Sequence, residues 1–330
     1  MSIYKLATTP PPNPHFQFHI HCVTASSPSI PGGRPARIRP SIAFSSSSLR
    51  LFERERGRKM GGSRVGGDID RMAVEIRAEE GGKGEGPRKR QYAVLLCAED
   101  SEYVTRVHGG YFKVFVNLLG EEGDTWHVYR AARGELPRPE EAAAYDGFVI
   151  SGSCSDAHGD EPWIRNLLAL LKELDAMKKK VLGICFGHQI LSRALGGKTG
   201  RATKGWDIGI TCIHPSHSII KQFSSLHIPS HLPVIEFHRD EILEPPPEAE
   251  IVAQSDKTGV EIFKYGNHMM GIQGHPEYTK DILVHLIDRL LRCNLIQNCH
   301  AEAARARLNE RELEREAWKR LCKAFLKGQF

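Results

Sequence analysis

Cys185 stands two residues after Gly183 and two before Gly187 in "VLGICFGHQIL", where an apolar run passes into a helix-like pattern. About ninety residues later, "GHPEY" sets His275 and Glu277 two apart. A thiol, an imidazole and a carboxylate are the parts of a covalent acyl-transfer site, in which the thiolate attacks, the imidazole moves the proton and the carboxylate orients the imidazole. The thiol by itself leaves two readings open. Unpaired cysteines are among the most buried residue types and usually pack inertly.

The chemistry requires particular elements. A strand that turns abruptly into a helix holds its corner residue in a tight bend, and the residues two before and two after must be small; Gly183 and Gly187 meet that demand. The corner residue then sits at a helix amino terminus. There the unpaired amides and the helix dipole favour a thiolate, and the amide of Phe186 points toward a developing oxyanion. In an extended segment, residues two apart face the same side, so His275 and Glu277 project together. Gln189 lies one helical turn beyond Cys185, either beside a substrate or facing solvent.

Around these residues the pattern alternates. "YAVLLCA", "TWHVYRAA", "YDGFVISG" and "KVLGI" read as strands, and "YFKVFVNLL" and "PWIRNLLALLKELDAMKKK" as helices, the second with Pro162 in its first turn and lysines in its last. Alternation of this kind predicts an α/β fold: a flavodoxin-like open, mostly parallel sheet flanked by helices, with its site beyond the carboxyl ends of the strands. Between Gly205 and Gly274, "DIGITCI", "LPVIEF", "EIVAQS", "VEIFKYG" and "MMGIQG" add mixed or antiparallel strands. Two further helices close the chain, the last carrying Leu313, Ala317, Leu321 and Phe325 at four-residue spacing.

The amino-terminal third has a different composition. Residues Met1 to Phe52 contain no Asp or Glu but recurrent Ser, Pro and Arg, a bias of organellar transit peptides; a start at Met60 or Met72 is the alternative. "GGKGEGPRKR" reads as a linker, so residues 1–90 are expected to be a disordered extension and 91–330 the catalytic domain. His15, His19, His21 and Cys22 lack a second ligand pair at zinc spacing, so no metal is expected. Eight scattered cysteines fit free thiols in a reducing compartment. The expected location is the cytoplasm, or the chloroplast if residues 1–52 direct import. A formal charge of +5 with interleaved signs argues against nucleic acid, and no apolar run approaches the length that crosses a bilayer.

"GICFGHQIL" followed by "GHPEY" resembles the class I glutamine amidotransferase family over roughly Gln91 to Leu291. That resemblance implies a Cys185 nucleophile, a His275 base and a Glu277 orienter that hydrolyse a γ-carboxamide through a γ-glutamyl thioester. It also implies that Gln189 helps hold the glutamyl portion and that a second oxyanion donor, beside Phe186, comes from the "SGSCSDA" loop at the Gly152 amide. The loop departs from the Gly-Gly-Pro type segment common in the family. With "YDGFVISGSCSDAHGDEPWI", "FHRDEIL", "IQGHPEY" and "CKAFLKGQF", the chain is similar to the branch of plant γ-glutamyl peptidases, which uses an "SGS" loop and cleaves glutathione and its conjugates.

The expected partner is therefore a small γ-glutamyl peptide or conjugate, with no cofactor, nucleic acid, membrane or obligatory synthase; neither a phosphate-binding loop nor an adenylate-forming module appears in the sequence. Tyr111, Trp206, His238 and Arg239 are candidates for the leaving-group pocket, Arg239 as a carboxylate partner. Two alternatives stand beside this reading: a glutaminase subunit feeding ammonia to a separate synthase, and a non-catalytic member of the fold.

Overall fold

The computed structural model describes residues 50–53, 72–77, 89–216, 219, 221, 224–308 and 310–329. The histidine cluster near His15 and the acid-free stretch before residue 50 lie outside the described residues. Strands β1 (Arg50–Glu53) and β2 (Ala73–Arg77) come first. Next, β3 (Gln91–Leu95), β4 (Thr125–Tyr129), β5 (Gly147–Ile150) and β6 (Lys180–Ile184) alternate with helices α1 (Glu102–His108), α2 (Tyr111–Leu119), α3 (Pro139–Ala144) and α4 (Pro162–Ala176). Helix α5 (Phe186–Ala194) follows β6 and leads into β7 (Lys198–Arg201), β8 (Asp207–Pro215), β9 (Leu232–His238) and β10 (Asp240–Glu244). Strands β11 (Glu250–Gln254), β12 (Ile262–Tyr265) and β13 (Met269–Ile272) precede α6 (Lys280–Arg292), α7 (Asn298–Arg307) and α8 (Arg315–Leu326).

The sheet is open and its centre is parallel, in the order β4-β3-β5-β6-β13, with β3, the first of these strands along the chain, inside the second. That is the flavodoxin-type order. Central strands covered on both faces need apolar residues at every position, and β5 and β13 are buried throughout. Val94, Val149 and Leu182 point to the face covered by α2 and α8, through Phe112, Phe115, Trp318 and Phe325. Ala93, Phe148, Ile150 and Val181 point to the opposite face, covered by α4 and α5 through Ile164, Leu171 and Ile190. From β13 outward the sheet turns antiparallel through β12, β11, β8 and β9, with α6 packed across Ile208, Ile210 and Ile235.

Three features depart from the sequence reading. Ordered structure begins before Gln91: β2 pairs antiparallel with β4, and Val74 and Ile76 are buried against the same core. The short run "AVEIR" alternates as an edge strand does, but polar flanks hide it. The chain closes on three helices among the described residues, and the last starts at Arg315, so Leu313 precedes it. Strands β7 and β10 form a separate two-stranded ribbon, which places Arg239 at a corner between β9 and β10. No described helix is long and apolar enough to cross a membrane.

Candidate active site

The bend after β6 is as tight as its glycines imply. Cys185 has φ 54° and ψ −104°, a region L-residues seldom occupy, and caps the amino end of α5. A Cβ on Gly183 would stand 2.4 Å from the Gly187 oxygen, and one on Gly187 would stand 2.4 Å from the Ile150 oxygen. Both obstacles are backbone, so neither can yield as a side chain would. The Cys185 amide is anchored to the Ile272 carbonyl at 2.8 Å, tying the bend to the end of β13. Only 6% of Cys185 is exposed.

The same strand end delivers the imidazole. The His275 amide donates to the Ile235 carbonyl at 2.7 Å, an isolated bridge that holds "GHPE" against β9. His275 Nδ1 lies 2.8 Å from Glu277 Oε1, both side chains being almost wholly buried. With Nδ1 committed to the carboxylate, the far side of the ring meets Cys185, and the two hydrogen-bond. Burial pulls the imidazole pKa down, but the Glu277 carboxylate and the Cys185 sulfur outweigh it and lift the value to about 10. His188, closer to Cys185 in sequence, is turned away toward Phe263, and burial drives its pKa down to about 3.

Gly152 completes the convergence. A Cβ placed on it would lie 2.9 Å from His275 Cε1 and 3.6 Å from Cys185 Cβ, so its backbone overhangs both side chains. Its amide hydrogen has no acceptor among the described residues, and Phe186, first in α5, has no preceding turn to accept its own. The geometry thus brings together Cys185, His275, Glu277, Gly152 and Phe186. Substituting Gly152→Ala forces the imidazole or the loop aside, and kcat is expected to fall about 10- to 100-fold, as it does for displacements of this scale. Steady-state kinetics beside a melting curve checks this, because the fold away from the loop is untouched.

Other anticipated residues are arranged differently. Gln189 is buried, and its amide nitrogen donates to the Asp240 carbonyl at 2.8 Å and to Gln273 Oε1 at 3.0 Å, so both of its N–H groups serve the protein and only its oxygen is left for a ligand. The four pocket candidates do not form one wall. His238 is buried behind the site, 3.3 Å from Glu236 Oε2. Tyr111 hydrogen-bonds Tyr278, and burial pushes both phenols up. Trp206 and Arg239 line a cavity of about 990 Å³ that includes none of Cys185, His275 or Glu277 in its wall.

Two features escaped the sequence reading. Tyr278 stacks flat on His275, with ring centroids 4.0 Å apart and planes 5° from parallel, fixing the imidazole through its face while its hydrogen bonds lie in the ring plane. It stands inside "GHPEY", one residue after Glu277. Glu236 and Glu261 are both buried, and burial raises each well above the usual carboxylate range, helped by the charge of Asp207 at Glu236 and by the charge of Glu236 at Glu261. Glu236 interrupts the apolar alternation of "LPVIEF", the one sequence signal of this polar nest. For a metal, the described residues offer Asp156, His158 and Asp240, whose ligand atoms lie within 4.8 Å of one another. Arg201 already bridges the two carboxylates, at 2.6 Å from Asp240 and 3.0 Å from Asp156, and supplies the positive charge there.

Comparison with known proteins agrees with this architecture. Residues 107–285 match the family model described as glutamine amidotransferase class-I. "Gamma-glutamyl peptidase 5" of Arabidopsis thaliana is 48% identical over 243 residues, covering 73% of this chain and 97% of that protein. "Gamma-glutamyl peptidase 2" of the same plant is 46% identical over 240 residues, again covering 73% and 97%. Among solved structures, a glutamine amidotransferase from Thermotoga maritima superposes with a TM-score of 0.53 at 20% identity, over 73% of this chain and all of that one, a likeness of fold.

Proposed function

The chain belongs to the class I glutamine amidotransferase family, whose members are cysteine amidohydrolases, and we propose that the bond it cuts is the γ-glutamyl amide of glutathione or of a glutathione S-conjugate. The observation that carries this reading is the meeting of the Cys185 side chain and the Glu277-bound His275 ring beneath the Gly152 backbone. The choice of leaving group is supported by the relatives, since the likeness to the Arabidopsis peptidases extends over nearly their whole length.

In the proposed reaction, the Cys185 thiolate attacks the γ-carbonyl carbon, and the oxyanion is met by the Phe186 and Gly152 amides. As the carbon–nitrogen bond breaks, His275 gives its proton to the departing cysteinyl-glycine nitrogen. Forming the carbon–sulfur bond removes the sulfur's negative charge. One of the charges that held the imidazolium proton is then gone, so the proton is released when the leaving group requires it. Neutral His275 next takes a proton from water, hydroxide adds to the thioester, the carbon–sulfur bond breaks, and glutamate leaves while the thiolate–imidazolium pair is restored.

The test is glutamate release from glutathione, S-benzylglutathione and glutamine by the purified chain. Cleavage of the tripeptides at a kcat/KM at least ten times that for glutamine is the expected result. Cleavage of glutamine in preference overturns the substrate assignment, and silence on all three overturns the activity.

A further inference from the structure

The cavity of about 990 Å³ has an unusual wall. Lys204, Trp206, Arg239, Asn298, His300 and Arg307 contribute to it, and no carboxylate does among the described residues. Lys204 Nζ is held by the carbonyls of Asp256 and Lys257. By contrast, the guanidinium groups of Arg239 and Arg307 have no hydrogen-bond or ion-pair partner among the described residues, although both are exposed enough to reach one. The ten-residue helix α7 lines the cavity along its length, from Asn298 to Arg307. Two free guanidinium groups and a lysine in a wall without carboxylates favour an anion, and the Trp206 ring in the same wall favours an apolar group.

Two residues link the cavity wall to the candidate site. Asp240, which follows Arg239, gives its carbonyl to Gln189, one helical turn along α5 from Cys185. Ile208, in the cavity wall, packs in the same apolar cluster as Tyr278, whose ring lies on His275. A helical turn is about 5.4 Å, and two extended residues reach about 7 Å. A dipeptide leaving group is thus of the length scale of the link that runs from Cys185 through Gln189 and Asp240 to Arg239.

We propose that this cavity binds the C-terminal half of the substrate: Arg307 and Arg239 take the terminal carboxylate, and Trp206 takes the S-substituent. The inference rests on the γ-glutamyl peptidase reading and adds a specificity site supplied largely by the carboxyl-terminal helices. It makes the enzyme an exopeptidase in its preference, selecting substrates that end in a free carboxylate at the second residue after the scissile bond.

The experiment compares S-benzylglutathione with its glycine amide, which lacks only the terminal charge, in the full chain and in Arg307→Ala, Arg307→Lys and Arg239→Ala. The wild-type chain is expected to prefer the acid about 10- to 100-fold in kcat/KM, chiefly through KM, the scale of a charge-assisted hydrogen bond. That ratio collapses toward one in Arg307→Ala and is partly restored in Arg307→Lys. Equal wild-type rates on acid and amide, or a loss in Arg307→Ala that is the same for both compounds, overturns the proposal. If neither compound is cleaved, the proposed function has failed, and titration calorimetry judges the cavity separately. Tighter binding of the acid, lost in Arg307→Ala, supports the site, and equal or absent binding overturns it.

Discussion

Cys185→Ala is expected to slow glutamate release by about 10⁵- to 10⁶-fold, the scale on which loss of a covalent nucleophile is felt when the rest of the site remains. The residue is a corner as well as a thiol, so the two roles must be separated. Its backbone lies at φ 54°, a strain that any residue with a Cβ bears equally. Alanine therefore retains the strain and removes the sulfur, and the melting temperature is expected to stay within a few degrees of the wild type while turnover vanishes. Cys185→Gly does the opposite for the backbone, relieving strain and raising stability, yet it is equally silent in turnover. A chain that keeps more than one-hundredth of wild-type activity without this sulfur has a different nucleophile. Cys97 and Cys322 are poor substitutes, because burial holds both thiols far above their ordinary range and thus protonated.

How much of this was legible beforehand follows from the range of the interactions. The bend at Cys185 is local: two glycines and a change of period within a dozen residues specify it, and the backbone obstacles met by any Cβ at Gly183 and Gly187 are the physical content of that pattern. The pairing of His275 with Glu277 is also local, although not by the strand alternation expected: the chain turns there, the Tyr278 amide donating to the His275 carbonyl at 3.3 Å, and the turn brings the two side chains together. The cavity that holds Trp206 and Arg239 was less legible because it is assembled from β8, the β9–β10 corner and α7, far apart in sequence and joined only by packing. Tyr111 and His238 were grouped with Trp206 and Arg239 by residue type, and the fold separates them, sending His238 inward with Glu236 and Arg239 outward. Gln189 shows the same limit. Its position one turn from Cys185 is readable, but the Asp240 carbonyl that takes its N–H arrives from fifty residues downstream. Strand β2 was hidden for another reason: five alternating residues between polar stretches carry too little pattern to stand out, and Val74 and Ile76 acquire meaning only against β4.

Glu277→Gln separates the orienting role of the carboxylate from its charge. Glutamine keeps an acceptor oxygen near His275 Nδ1, 2.8 Å away in the native site, but removes the negative charge. Burial, the largest influence on the ring, lowers its pKa, and Glu277 is the strongest of the influences that raise it to about 10. Without that charge the imidazolium releases its proton at lower pH, and the descending alkaline limb of the pH–kcat profile moves toward neutrality. At pH 7 kcat is expected to fall about 10²- to 10⁴-fold, the scale seen when the orienting acid of a triad is neutralised. Stability moves with the same proton. Between the unfolded imidazole's value near 6.5 and the folded value of about 10, the native chain holds a proton that the unfolded chain has lost. The contribution is therefore complete below pH 6.5 and declines as pH rises through 10, so wild-type melting temperature falls over this window and the variant's profile is flatter. A Glu277→Gln chain whose alkaline limb and melting profile both coincide with the wild type would show that the carboxylate holds the ring in place without governing its proton.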